Sequence, residues 1–94
     1  MPLTQKITLR MAIQKECRLQ IPRVVRSEFK IERGQVLKVS INALNLGKGW
    51  QIFYARVLNE GRLTISKIVV SQLQSEIENL TGRIFEIILE PPQG

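Results

Sequence analysis

The sequence predicts a mixed, mainly β domain built from two intertwined β-β-α-β repeats, and three observations carry that expectation. The segment Arg18-Leu19-Gln20-Ile21-Pro22 returns 44 positions later as Arg62-Leu63-Thr64-Ile65-Ser66. Each copy follows an alternating apolar run and precedes a helix-like stretch, a glycine (Gly34, Gly82) and a second alternating run. With 94 residues in all, one half alone would bury too little surface to stand, so the halves must share a core. The expected organisation is a single domain over residues 1–94, with a basic repeat at 5–42 and a near-neutral one at 50–90.

The elements follow in order. Ile7, Leu9, Met11 and Ile13 alternate with Thr8, Arg10, Ala12 and Gln14, the period of a half-buried strand. Lys15-Glu16-Cys17 reads as a turn and Arg18 to Ile21 as a short strand. Pro22 suits the first turn of a helix, where its missing N–H costs nothing. From Arg23 to Lys30 the spacing puts Val25 and Phe29 on one helix face and Arg23, Arg26 and Lys30 on another, outward one. Gly34 closes the unit and Val36 to Ile41 resumes as a strand. Asn42 to Gly49 is the joint between repeats, marked by two glycines and two asparagines. Trp50 to Leu58 is a strand, Asn59-Glu60-Gly61 a turn and Arg62 to Ile65 a strand. Ser66 is an N-cap for a longer helix whose buried stripe is Val69, Leu73, Ile77 and Leu80, with Gly82 as terminator. Ile84 to Leu89 is the last strand, ended by Pro91-Pro92.

Charge is unevenly shared. Residues 1–48 carry ten Lys/Arg against three Glu, a net of +7, and residues 49–94 carry four against five, a net of −1, so the positive charge lies in the first half. A field concentrated on one half attracts polyanions, of which nucleic acid is the commonest. The single cysteine, Cys17, excludes an intrachain disulfide and fits a reducing compartment; at a turn it reads as an inert small residue. No apolar stretch is long enough to span a membrane, and the N-terminus has no signal-peptide pattern, so a cytoplasmic protein is expected. There is no histidine and no aspartate, and neither a P-loop, a paired acid nor a metal-ligand cluster is present. The sequence therefore implies no catalytic residue, no metal and no cofactor.

The run from Arg18 to Val39 resembles the AbrB/MazE/SpoVT swapped-hairpin family. Arg18, Ile21, Pro22, Arg26, Phe29, Ile31, Gly34, Val36 and Val39 fall on the positions of its motif. The glycine that precedes the arginine in that motif is Cys17 here. The second copy restores it as Gly61 before Arg62, but has Ser66 for the proline and Val70 for the helix arginine. The resemblance implies a swapped-hairpin AbrB-type barrel, folded here as a fused pseudo-dimer, and a DNA-binding transcriptional regulator.

The residues expected to bind double-stranded DNA are Arg10, Lys15, Arg18, Arg23, Arg26 and Lys30, a basic strand-turn-strand ridge beside a basic helix. Arginine suits the task because its planar fork pairs with phosphate or with guanine O6 and N7. Two readings stand for Arg18. It contacts nucleic acid, or, like Arg62 in the near-neutral half, it pairs with a glutamate or carbonyl at the hairpin. If the repeat register holds, Phe53, Ala55 and Val57 face the core, while Trp50, Ile52 and Tyr54 point outward as a surface for a partner or second chain. The alternatives are a strand buried on both faces or a register slipped by one. A homodimer is expected, since one basic half covers little DNA, with two chains presenting their halves to adjacent groove segments. The rival reading is a protein-interaction module meeting an acidic partner. An antitoxin is a third, though the Pro91-Pro92-Gln93-Gly94 tail is short for gripping a toxin.

Overall fold

The computed structural model describes residues 5–43, 49–74 and 82–92. Its elements are β1 (Ile7–Ala12), β2 (Arg18–Gln20), α1 (Arg23–Phe29), β3 (Val36–Ala43), β4 (Gln51–Arg56), β5 (Arg62–Thr64), α2 (Lys67–Gln74) and β6 (Ile84–Glu90), with a 3-10 turn at Asn59–Gly61 before β5. They form two antiparallel sheets, one of four strands in the order β1-β6-β3-β4 and one a ribbon of β2 with β5. The strands arise where the sequence alternates. In β4, Phe53 and Ala55 are buried while Ile52, Tyr54 and Arg56 are exposed, and in β6 Phe85, Ile87 and Leu89 are buried in the same rhythm. The expected joint begins two residues later than the sequence suggested, because Asn42 and Ala43 still pair with Glu86 and Phe85. Its remaining positions 44–48, like Ile77 and Leu80 of the expected helix stripe, lie outside the described residues.

Only the β3–β4 pairing joins consecutive strands; the other pairings are long-range. β1 pairs with β6, from Ile7 opposite Leu89 to Ala12 opposite Ile84, and β4 pairs with β3, from Gln51 opposite Ile41 to Arg56 opposite Val36. β3 and β6 join at the centre, with Ser40 opposite Ile88. In the ribbon Leu19 faces Leu63, Arg18 faces Thr64 and Gln20 faces Arg62. Leu19 and Leu63 turn into the same core as Leu37, Val39, Ile41, Phe85, Ile87 and Leu89. The two sheets therefore bury facing surfaces, and their solvent sides point away from each other. A radius of gyration of 12.5 Å agrees with the ~12 Å of one compact unit of this length.

The helices are short. α1 starts after Pro22, which stands at the N-cap rather than inside the first turn, with ψ extended at 144° and its carbonyl accepting from Arg26 N–H at 3.0 Å. Val25 and Phe29 pack half-buried against the core while Val24 is left in solvent. α2 starts after Ser66, whose carbonyl accepts from Val70 N–H at 2.9 Å, and it buries Val69 and Leu73 as the stripe requires. Among the described residues no helix is long and apolar enough to cross a membrane.

α1 ends at Lys30 in the left-handed region, φ 56° and ψ 43°, a conformation that glycine adopts without the steric cost a Cβ brings. Lys30→Gly is accordingly expected to raise unfolding free energy by about 1 kcal/mol, seen as a higher urea midpoint at unchanged slope.

Candidate nucleic-acid interface

The ribbon of β2 and β5 turns one face inward through Leu19 and Leu63 and the other to solvent through Arg18, Gln20, Arg62 and Thr64. This outer face has a diagonal layout, in which Arg18 sits opposite Thr64 at one end and Arg62 opposite Gln20 at the other. Each arginine is held by a glutamate two residues before it, Arg18 by Glu16 at 3.1 Å and Arg62 by Glu60 at 3.3 Å. Both glutamates stand in left-handed turns, with φ of 62° and 60°. These pairs are solvent-exposed and worth ~0–1 kcal/mol each, so an incoming phosphate can displace either glutamate at little cost. Gln20 Nε2 donates to the Glu60 carbonyl at 3.1 Å, and Gln14, bridged to Arg18 on the side of β2 away from β5, brings its Nε2 to within 3.4 Å of Gln20 Oε1.

The strand directions bring further cations to the two ends. β2 runs into α1, whose first residue, Arg23, is exposed at the end where Arg62 begins β5. β5 runs into α2, whose first residue, Lys67, is exposed at the end where Arg18 begins β2. Lys15, exposed in the turn before Arg18, adds a fifth. Arg62 and Lys67 were not among the residues expected to bind DNA. Their signal was present in the chain, since each lies 44 positions after an arginine that was, Arg18 and Arg23.

Three residues of the expected set stand elsewhere. Arg10 does not join a ridge with Arg18, because β1 pairs with β6 and not along β2. It lies on the outer face of the four-stranded sheet, opposite Glu86. Arg26 does not project outward from α1. It is half-buried, and its Nε donates to the Ile21 carbonyl at 3.1 Å. Its side chain passes directly over Gly61, where a Cβ would collide with Arg26 Cδ and come within 2.7 Å of Nε. Arg26 thus ties α1 to the turn that starts β5. Lys30 is exposed beyond the far end of α1.

The stripe Trp50, Ile52 and Tyr54 does point outward, with relative exposures of 42%, 53% and 59%. It lies on the solvent side of the four-stranded sheet, where Ile52 is opposite Ser40 and Tyr54 opposite Lys38. Ile84, 57% exposed, and half-buried Ile88 belong to the same side.

No protein-family model matches the chain, and no curated protein matches it. Among solved structures, the solution structure of PHS018 from Pyrococcus horikoshii is similar over 100% of both chains, with a TM-score of 0.67 at 23% identity. At that identity the likeness is one of fold.

Proposed function

We propose that the chain is a non-enzymatic, cytoplasmic double-stranded DNA-binding protein, an AbrB-like transcriptional regulator, whose two intertwined repeats form a swapped-hairpin barrel. The repeat reading is supported by hydrogen bonds that recur at matched positions. Ile21 N–H donates to the Gly61 carbonyl and Ile65 N–H to that of Cys17, both at 3.0 Å. Ile13 N–H donates to the Arg83 carbonyl while Val57 N–H donates to that of Gln35. Contacts of β1 with β2 and of β4 with β5 link the two sheets at both margins, as a barrel requires.

The observation that carries the DNA reading is the outer face of the β2/β5 ribbon. Two antiparallel strands about 4.8 Å apart, with side chains, match a major groove ~12 Å wide. That face offers Arg18 and Arg62 on opposite strands, Gln20 opposite Arg62, Gln14 flanking Arg18 on the side away from β5, and Lys15, Arg23 and Lys67 at its ends for phosphates. Binding thus passes through the second repeat as well as the basic first one.

Fluorescence anisotropy with a labelled random-sequence duplex tests this. The Arg18→Gln/Arg23→Gln/Arg62→Gln/Lys67→Gln variant is expected to lose roughly 100-fold in affinity at low salt, and its log K against log salt slope should shrink by about 3 to 4. Arg10→Gln/Lys38→Gln, which removes charge from the opposite face, should stay within about threefold of wild type. Equal losses in both variants, or no binding by wild type at low salt, would defeat the reading.

A further inference from the structure

We infer that the outer face of the four-stranded sheet binds a second copy of this chain, and that the resulting dimer bridges two DNA duplexes. The bridging half of this inference rests on the DNA reading above; the self-association half does not.

The face combines Trp50, Ile52, Tyr54 and Ile84, all exposed, with half-buried Ile88 between β3 and β1. Aromatic and aliphatic groups of this kind are concentrated in the centres of protein interfaces. Its charges decide the occupant. Arg10 lies opposite Glu86, Lys38 lies opposite Glu90 and exposed Arg56 stands opposite Val36, so the face mixes three cations with two carboxylates within a chain of net charge +6. An acidic partner would meet Glu86 and Glu90 with like charge. A second copy carries both signs and can lay base over acid across a twofold axis.

The size of the face sets the strength. Four strands with seven residues in β6 make a face of roughly 19 by 23 Å at the usual strand spacing and rise. Two copies stacked on it cover on the order of 900 Å² in projection, below the roughly 1,200 Å² at which stable interfaces begin and in the range of weak, transient ones. The dimer is therefore weak and forms at micromolar concentration.

Its geometry has a functional consequence. The sheet and the ribbon bury facing surfaces, so the apolar face and the arginine face lie on opposite sides of the molecule. Two chains joined through the sheet hold their ribbons back to back, facing away from one another. Such a dimer cannot lay both ribbons along adjacent groove segments of one short duplex, the arrangement expected from the sequence. It ties two duplexes together.

The test pairs wild type with Ile52→Thr/Tyr54→Thr, which keeps charge and strand preference while removing apolar surface. Sedimentation velocity from about 1 to about 500 µM should show wild type passing from monomer to dimer, a range that brackets a weak interface. The variant should remain monomeric with an unchanged circular dichroism spectrum. A biotinylated duplex on beads should then retain a second, fluorescent duplex with wild type. Retention should fall at least tenfold with the variant, although its anisotropy-measured affinity for a single duplex stays the same. A wild type monomeric throughout, with its face awaiting a different protein, would overturn the self-association. Bridging retained by a monomeric variant would overturn the link between the face and bridging. If wild type dimerises but binds no duplex, the DNA reading and the bridging fall while the self-association stands.

Discussion

Gly61→Ala is expected to lower unfolding free energy by about 2 to 4 kcal/mol, from left-handed strain on a Cβ together with overpacking. Gly61 has φ +73°, and the added Cβ would strike the Arg26 side chain. Arg26 cannot withdraw freely, because its Nε bond satisfies the Ile21 carbonyl and its stem covers the glycine. Arg26→Val is expected to cost about 1 to 3 kcal/mol through that carbonyl and the lost stem packing. The informative variant is the double one. With valine at position 26 the collision is gone, so the Gly61→Ala change should then cost only its backbone strain of about 1 to 2 kcal/mol. The chain already contains a pair of that kind. Val70 stands 44 residues after Arg26 and Cys17 stands 44 before Gly61. Cys17 carries its side chain at φ 54°, and both residues pack half-buried against the core. Urea denaturation of the four proteins closes the cycle. Strict additivity, within about 0.5 kcal/mol, would mean that Arg26 swings clear and that the two positions are not coupled.

That pair also marks where reading the chain stops. The alternation of Ile7, Leu9 and Met11, or of Phe53 and Ala55, is a local signal, and the strands appear where it does. The outward aspect of Trp50, Ile52 and Tyr54 followed from the same period. Strand partners are another matter. Nothing local says that β1 pairs with a strand more than seventy residues away rather than with β2, and this pairing sends Arg10 to the opposite side from Arg18. Helical spacing likewise puts Arg26 on the outer face with Arg23, yet a long side chain can fold back onto backbone brought there by a distant turn. The absent Cβ at Gly61 and the open carbonyl of Ile21 supply that opportunity, and neither is visible in a helical projection. Arg62 and Lys67 lie in the near-neutral half, where a charge count along the chain gives them no weight. The antiparallel register of the ribbon makes them neighbours of the basic half, so charge counted along the chain misstates charge counted across the surface.

The ribbon itself offers the sharpest separation of fold from function. Leu19 and Leu63 are fully buried, face each other in register and are the only inward groups on two three-residue strands. Each Leu→Ala change is expected to cost about 3 to 5 kcal/mol, from lost transfer energy and the cavity left behind. A domain of this size has about 5 to 14 kcal/mol in all, so each single variant should fold with a much lower midpoint and Leu19→Ala/Leu63→Ala should be largely unfolded at 37 °C. The flanking outward residues behave oppositely. Among the described residues Arg18→Gln and Arg62→Gln break only exposed ion pairs, and they should move stability by no more than about 0.5 kcal/mol. On the DNA reading the same two changes remove the side chains that enter the groove. One residue step along β2 therefore passes from a position that sets stability to one that sets affinity, because successive side chains point to opposite faces. Calorimetry and anisotropy on Leu19→Ala and Arg18→Gln together measure that alternation. A stable Leu19→Ala would mean that the ribbon is not clamped to the core, and a ribbon free of the core could not hold Arg18 and Arg62 in fixed register for a groove.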